Sequence, residues 1–404
     1  MRICPILAFS IAIGSISAQT SVTLYVKETA GIRRMGFPVN ARVPFPKGAL
    51  ANAADARLMS ADAEVPAQFS AESQWPDNSI QWLDVDFNAS LAPSELHTYR
   101  VEYGSGVKPA SMPRGLTITQ DPGSIQVGQV KFSKLAAPLL VSVKYRGEDI
   151  AMGVNGITVV DSTGGEPELT NSKPPKVEII KPGPLYVVLR YSGLMPVDPS
   201  YNPPYTITVE MPNSKSWVKV TAVVDDPQKR LRALAFHSPL AFGAFPLVWD
   251  FGTGRWTYGS FKTSAEAVSL TQTFKPGAAT EWRVVMNPKG QEQVVETGML
   301  EATRQTMPRV GWAHIQDAHE VVALGLETPE KIAGTSNMTI LGNGQTHFSF
   351  APAAPVTEHR ITVYQHFVAA PVQIGAVTTP SSMLAPLSSY SDPKQYTLSG
   401  LKQR

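Results

Sequence analysis

Apolar and polar residues alternate over short runs along the whole chain. Residues 22–26, 80–87, 98–103 and 116–119 each carry the period of two that a half-buried strand requires. The runs at 185–191, 205–210, 217–224, 281–286 and 360–367 do the same and are rich in β-branched and aromatic residues, which pack well on a pleated surface. Between them stand turn formers such as Asp121-Pro-Gly123, Lys173-Pro-Pro175, Lys181-Pro-Gly-Pro184 and Asp198-Pro-Ser-Tyr-Asn-Pro-Pro204. Proline lacks the amide donor a helix needs, so helices of ordinary length are excluded there. Helical spacing fits only residues 292–303, a segment that equally suits a long loop with one helical turn. The expectation is an all-β chain.

Composition supports that pattern. The 404 residues include 34 prolines, about 8% against an average near 5%, and only 17% are charged. A polar stretch laced with glycine and proline, at 104–114, divides two strand-rich regions. We therefore expect a small N-terminal β-barrel over 19–110 and a large antiparallel β-sandwich over 115–385. From Pro380 the sequence turns to Ser, Pro, Lys and Gln, and residues 386–404 read as a flexible tail with little to bury.

Charge and cysteine narrow the setting. Lys and Arg number 35 against 33 Asp and Glu, without a block of like charge, which argues against a nucleic-acid or anionic-membrane surface. Arg2, the apolar run 3–13 and the small residues Gly14, Ser15, Ser17 and Ala18 have the layout of a secretory signal peptide over residues 1–18. Cleavage after Ala18 is expected; cleavage after Ser17 also fits. The run is too short to anchor, and no later stretch suggests a membrane span. The single cysteine, Cys4, lies inside this signal, so the exported chain is expected to carry no disulfide and no thiol ligand. Its destination would be secreted or periplasmic.

The most distinctive text is Val43-Pro-Phe-Pro-Lys-Gly48, then Glu64-Val-Pro-Ala-Gln68, then Trp75-Pro-Asp-Asn-Ser-Ile-Gln-Trp-Leu83. Physically it describes a tight corner: two prolines fix an extended entry, Gly48 permits a positive φ, and Trp75 and Trp82 bracket a turn that leads into a strand. In this order the pieces resemble the N-terminal RIFT-type barrel of the exo-acting rhamnogalacturonan lyases of the YetA-like group, polysaccharide lyase family 26. The family usually has Gly where Asn78 stands, a mild departure because Asn tolerates the left-handed conformation. The resemblance continues more faintly through Gly311-Trp-Ala-His-Ile-Gln-Asp317 and Glu358-His-Arg-Ile-Thr-Val-Tyr364, which look like parts of the family's central sandwich. It implies that the lyase active site would lie on a C-terminal α/α toroid that these 404 residues do not include. No catalytic residue is carried over.

The residues themselves offer little standard chemistry. There is no Gly-x-Ser-x-Gly elbow, His-Glu-x-x-His, Walker loop or Gly-x-Gly-x-x-Gly, and no cofactor is implied. Of the seven histidines, His314 and His319 are five apart and so face opposite sides of a strand, as do His359 and His366 at seven, which read as structural or exposed; we expect no metal. His237, within an apolar run, reads as a hydrogen-bonded core histidine. Candidate carbohydrate-binding residues are Arg255, Trp256 and Tyr258, in Asp250-Phe-Gly-Thr-Gly-Arg-Trp-Thr-Tyr258, with Trp75 as a weaker one; aromatic faces stack on sugars and Arg binds carboxylates bidentately. The same aromatics would also serve to close a sandwich edge. Three functions stay open: non-catalytic binding or scaffolding of a polysaccharide or oligosaccharide, pectic if the resemblance holds; a lyase or hydrolase component with its site on the sandwich or in a separate catalytic chain; or a structural envelope protein.

Overall fold

A computed structural model describes residues 20–112, 115–135, 137–145, 148–150, 155–166, 173–242, 245–253, 256–300, 310–327, 332–369 and 380–402. The segment 1–18, expected from sequence to be a signal peptide, lies outside them. The fold is all-β, built from antiparallel sheets stacked as sandwiches. The alternating runs become strands, and their inward positions form two hydrophobic cores.

The larger core lies between a nine-stranded and a seven-stranded sheet. In spatial order the nine strands are Lys176–Pro182, Tyr186–Leu194, Pro204–Pro212, Trp217–Asp225, Glu358–Ala369, Glu320–Leu326, Val310–Gln316, Leu247–Thr253 and Trp256–Phe261. The seven are Gly156–Asp161, Leu231–Pro239, Gln345–Pro352, Gly334–Leu341, Ala267–Phe274, Thr280–Met286 and Gln293–Leu300. Leu189, Tyr191, Trp249 and Val363 of one sheet meet Phe236, Phe348, Leu270 and Met338 of the other, all nearly solvent-free. Each buried large side chain contributes about 1.5–3 kcal/mol, so this layer dominates stability. A smaller five-stranded sheet, from Ile118–Gln120 to Glu148–Asp149, adds Ile125 and Phe132 to the same core.

The N-terminal strands, expected to close as a barrel, form two open sheets. One runs Ser388–Ser391, Thr20–Lys27, Leu96–Tyr103, Ala56–Ser60, Ala63–Val65, and the other Arg34–Pro44, Ile80–Leu91, Ala67–Gln74. No strand pairing joins the two sheets among the described residues. They pack face to face over Leu24, Val39, Val43, Phe45, Phe87 and Val101. The corner motif behaves as its residues require: Gly48 and Asn78 adopt positive φ, and the Trp75 carbonyl and amide close the turn with Asn78 and Ser79.

Two further sequence expectations are corrected. Of the expected tail 386–404, the described part, 386–402, is not loose: Ser388–Ser391 pairs with Thr20–Lys27, and a helix, Pro393–Ser399, follows. Its ends were encoded locally, because Asp392 caps the first turn, Pro393 suits the first helical position and Gly400 takes the left-handed cap at φ 69°. Gln395 then donates to the Pro44 carbonyl at 2.8 Å. Within 292–303, Gln293–Leu300 is an edge strand rather than a helical turn. The helix-weakening Gly298 sits there because the indole of Trp282, directly across the ladder, covers it; a Cβ on Gly298 would lie 2.4 Å from that ring.

The two cores meet through a polar and aromatic seam. Gln68 donates to the Tyr186 carbonyl and accepts from the amides of Leu185 and Tyr186 at 3.0–3.1 Å. Lys181 reaches Asp84 at 3.0 Å and Asp86 at 2.9 Å, and Phe37 packs edge-on against Trp217.

Candidate functional site

The outer face of the seven-stranded sheet collects hydroxyl and amide side chains by simple alternation. In Ala267–Phe274 the inward residues include Val268 and Leu270, which leaves Ser269, Thr271 and Thr273 outward. In Gly334–Leu341, Met338 and Ile340 point in, and Asn337 and Thr339 point out. Strand pairing sets these side by side: Ser269 shares a hydrogen bond with Thr339 at 3.0 Å, and Thr271 donates to Asn337 at 3.4 Å. Together with Arg283, Glu281, Glu292, Thr297 and Met299 they line a groove of about 910 Å³. That is the size range of a small-molecule or oligosaccharide site. Arg283 pairs with Glu292 at 3.3 Å and stays half exposed, so its guanidinium can still meet a ligand.

The ladder continues one row of this face across the sheet. Val285 lies opposite Ser269, Ser269 opposite Thr339, Thr339 opposite His347, and His347 opposite His237. Adjacent strands are about 4.8 Å apart, so the histidine pair begins one strand beyond the groove wall. The imidazole centroids are 4.6 Å apart, tilted by 46°. Glu166 meets both rings: Nε2 of His237 is 2.8 Å from one carboxylate oxygen, and Nε2 of His347 is 3.3 Å from the other. Those two contacts, that of His237 first, lower the Glu166 pKa to about 2. Glu166 is delivered by a side-chain turn in which Asp161 accepts from the amides of Thr163 and Gly165. His237 is thus a partly exposed face residue rather than the core histidine that its apolar neighbours suggest, because the outward parity of its strand outweighs local composition. Glu166 and His347 are not legible as site residues in the sequence: His347, like His237, shows only the outward parity of its strand, Glu166 lies in the loop after Gly156–Asp161, and the meeting of the two histidines depends on pairing between strands about a hundred residues apart.

The residues proposed from sequence fall elsewhere. Tyr258 is 71% exposed on Trp256–Phe261, at the edge of the nine-stranded sheet. It lies opposite Asp250, whose carboxylate accepts from the amide and, at 2.8 Å, Nδ1 of His314. Trp312 packs edge-on to His314 and covers Gly252, where a Cβ would lie 2.0 Å from the indole. The backbone of Trp256 belongs to this edge strand, and Arg255 lies outside the described residues. Trp75 is remote, in the N-terminal unit, with its indole N–H donating to the Phe45 carbonyl at 3.0 Å. The structure therefore does not bring Trp75 and Tyr258 together. Of the other histidines, His319 is exposed, while His359 and His366 are buried. No described helix is long and apolar enough to cross a membrane.

No family model matches this sequence, and no curated protein matches it. The fold is similar to that of a protein in the glycosyl hydrolase family 38 from Enterococcus faecalis, with a TM-score of 0.57 and 9% identity over 93% of this chain and 48% of that one. The chain thus spans about half the length of that protein, and at this identity the likeness shows the fold alone. A looser match is the alpha-galactosidase from Lactobacillus brevis, at a TM-score of 0.31 and 8% identity over 80% of this chain and 40% of that one, which carries no argument.

Proposed function

We propose that this is an exported protein that binds an oligosaccharide without cleaving it, in the groove on the outer face of its seven-stranded sheet. The observation that carries the reading is the groove itself: about 910 Å³ of open space lined by Ser269, Thr271, Thr339, Asn337 and Arg283. Sugars present hydroxyls that both donate and accept, and this lining offers hydroxyl, amide and guanidinium partners in register along adjacent strands. Recognition here rests on hydrogen bonds rather than stacking, because Trp282 is only 5% exposed beneath the groove. Arg283 supplies a fork for a uronate carboxylate. The similarity to a glycosyl hydrolase family 38 fold and the resemblance to the front half of exo-rhamnogalacturonan lyases both support a carbohydrate ligand, and the latter favours a pectic one.

The test is calorimetric titration of the purified chain with pectic and neutral oligosaccharides, alongside Arg283→Ala, Asn337→Ala and Tyr258→Ala variants. The groove reading expects both groove variants to weaken binding about tenfold, as the loss of one good hydrogen bond to a charged or amide group would, while Tyr258→Ala binds normally. Loss of binding in Tyr258→Ala alone would move the site to the other sheet and overturn the groove assignment. Absence of binding to every glycan would overturn the function. Absorbance from an unsaturated uronate during incubation with rhamnogalacturonan would replace binding with lyase action.

A further inference from the structure

We propose that Glu166, His237 and His347 form a binding site for a divalent transition-metal cation of the zinc type. Three observations converge on it. The two imidazoles are direct cross-strand neighbours, so the sheet fixes their separation and sets both Nε2 atoms toward one carboxylate. One ligand atom from each of the three residues lies within 4.8 Å of the others, and the two Nε2 atoms stand 2.8 and 3.3 Å from the two oxygens of the carboxylate. Tetrahedral zinc with bonds of about 2.0–2.1 Å places its ligand atoms about 3.3 Å apart, so closing the set needs only small side-chain rotations. The chemistry also suits a cation, because the carboxylate brings negative charge and each imidazole has a nitrogen that can donate a lone pair.

The donor set selects the kind of ion. Two imidazole nitrogens and one carboxylate suit zinc and its first-row neighbours, whereas calcium and magnesium favour all-oxygen shells. Binding replaces the contacts between Nε2 and the carboxylate. Each ring must then carry its proton on Nδ1 and offer the Nε2 lone pair, and any imidazolium releases one proton. The three ligands leave a tetrahedral cation one position for water. The side chains are 25–40% exposed, which gives solvent and ions a direct approach. The ion would also tie the segment bearing Glu166 to the sheet, at the strand next to the groove wall. The site stands whether or not the groove binds a sugar.

The experiment uses the full-length chain, stripped with a chelator, and measures Zn²⁺ binding by competition with a chromophoric chelator and Co²⁺ binding by its visible absorption bands. Wild-type protein is expected to take up one equivalent of Zn²⁺ and to give an intense tetrahedral Co²⁺ spectrum. His237→Ala, His347→Ala and Glu166→Gln should each weaken Zn²⁺ binding by about 100-fold or more, since a lost ligand costs at least as much as a lost outer-sphere partner. His97→Ala, a histidine paired with Glu95 in the N-terminal unit, should bind as wild type. The metal-free variants should keep the wild-type melting temperature, which separates loss of the site from loss of the fold. Zn²⁺ uptake that is absent in the wild type, or unchanged in both histidine variants, overturns the proposal and leaves these groups as a simple ion pair.

Discussion

Replacing Lys181 with Met probes what joins the two cores. Its ammonium lies 3.0 Å from Asp84 and 2.9 Å from Asp86, with side chains only 9%, 11% and 1% exposed. Asn40 donates to the other oxygen of Asp86 at 2.6 Å. Met fills nearly the same volume, so the change removes charge rather than packing and leaves Asp86 without a cation and Asp84 with only the 3.9 Å contact to Arg42. Breaking a buried pair in this way costs about 3–5 kcal/mol, because the orphaned charge keeps its desolvation penalty. The sign with pH is fixed by Asp86, whose pKa is raised by burial even with Lys181 opposing it. Without the lysine that pKa rises further. A carboxylate with a raised folded pKa costs nothing while protonated in both states and destabilises the fold as pH climbs through its folded pKa. The deficit of Lys181→Met should therefore be small near pH 4 and reach about 3–5 kcal/mol by pH 7. Urea unfolding followed by tryptophan fluorescence at both pH values reads it directly, and adding Asp86→Asn should recover part of the loss at pH 7. A deficit below about 1 kcal/mol at pH 7, the scale of a surface ion pair, would refute the reasoning, as would a gap that does not widen from pH 4 to pH 7.

Two further outcomes follow from other parts of the structure. His366 lies against Trp217 in the seam, and burial, then the charges of Lys215 and His314, lower its pKa to about 4. A histidine with a lowered folded pKa keeps its full stability above about pH 6.5 and loses it as pH falls toward 4, by about 3 kcal/mol in total. Denaturant midpoints should drop over that window in wild type and drop less in His366→Phe; parallel profiles would count against a buried neutral imidazole. Deleting residues 388–404 uncovers the edge of Thr20–Lys27 and removes the bond from Gln395 to Pro44 and the contact of Tyr396 with Trp82. Several hydrogen bonds at about 1 kcal/mol each predict a loss of about 3 kcal/mol or more, a fall of roughly 4 °C or more in melting temperature for a chain of this length. Unchanged melting, with unchanged amide protection in Thr20–Lys27, would return that segment to the status of a loose tail.

How much of this was legible in the sequence depends on whether a feature is local. Strands such as Trp217–Asp225 and Glu358–Ala369 could be read because alternation is written within eight or ten residues, and the nearby prolines Pro212, Pro227, Pro355 and Pro371 say where it stops. The helix Pro393–Ser399 was equally local, with Asp392, Pro393 and Gly400 at its ends, but the low-complexity composition around it outweighed three capping residues that sequence reasoning could have used. Register is another matter. Nothing near His237 shows that His347 lies opposite, and nothing near Ser269 shows Thr339, because pairing is decided by which buried faces fit across the whole core. Lys181 is the clearest case. Its strand slips register between Ile179 and Lys181, and this bulge accompanies a buried lysine next to an exposed Ile180, the reverse of what hydrophobicity alone would assign. Only the strand Ile80–Leu91 of a different sheet, with Asp84 and Asp86 turned toward the seam, explains why the cation faces inward. The groove follows the same logic: each of its outward residues is ordinary in its own strand, and a site arises only when four strands set those residues side by side.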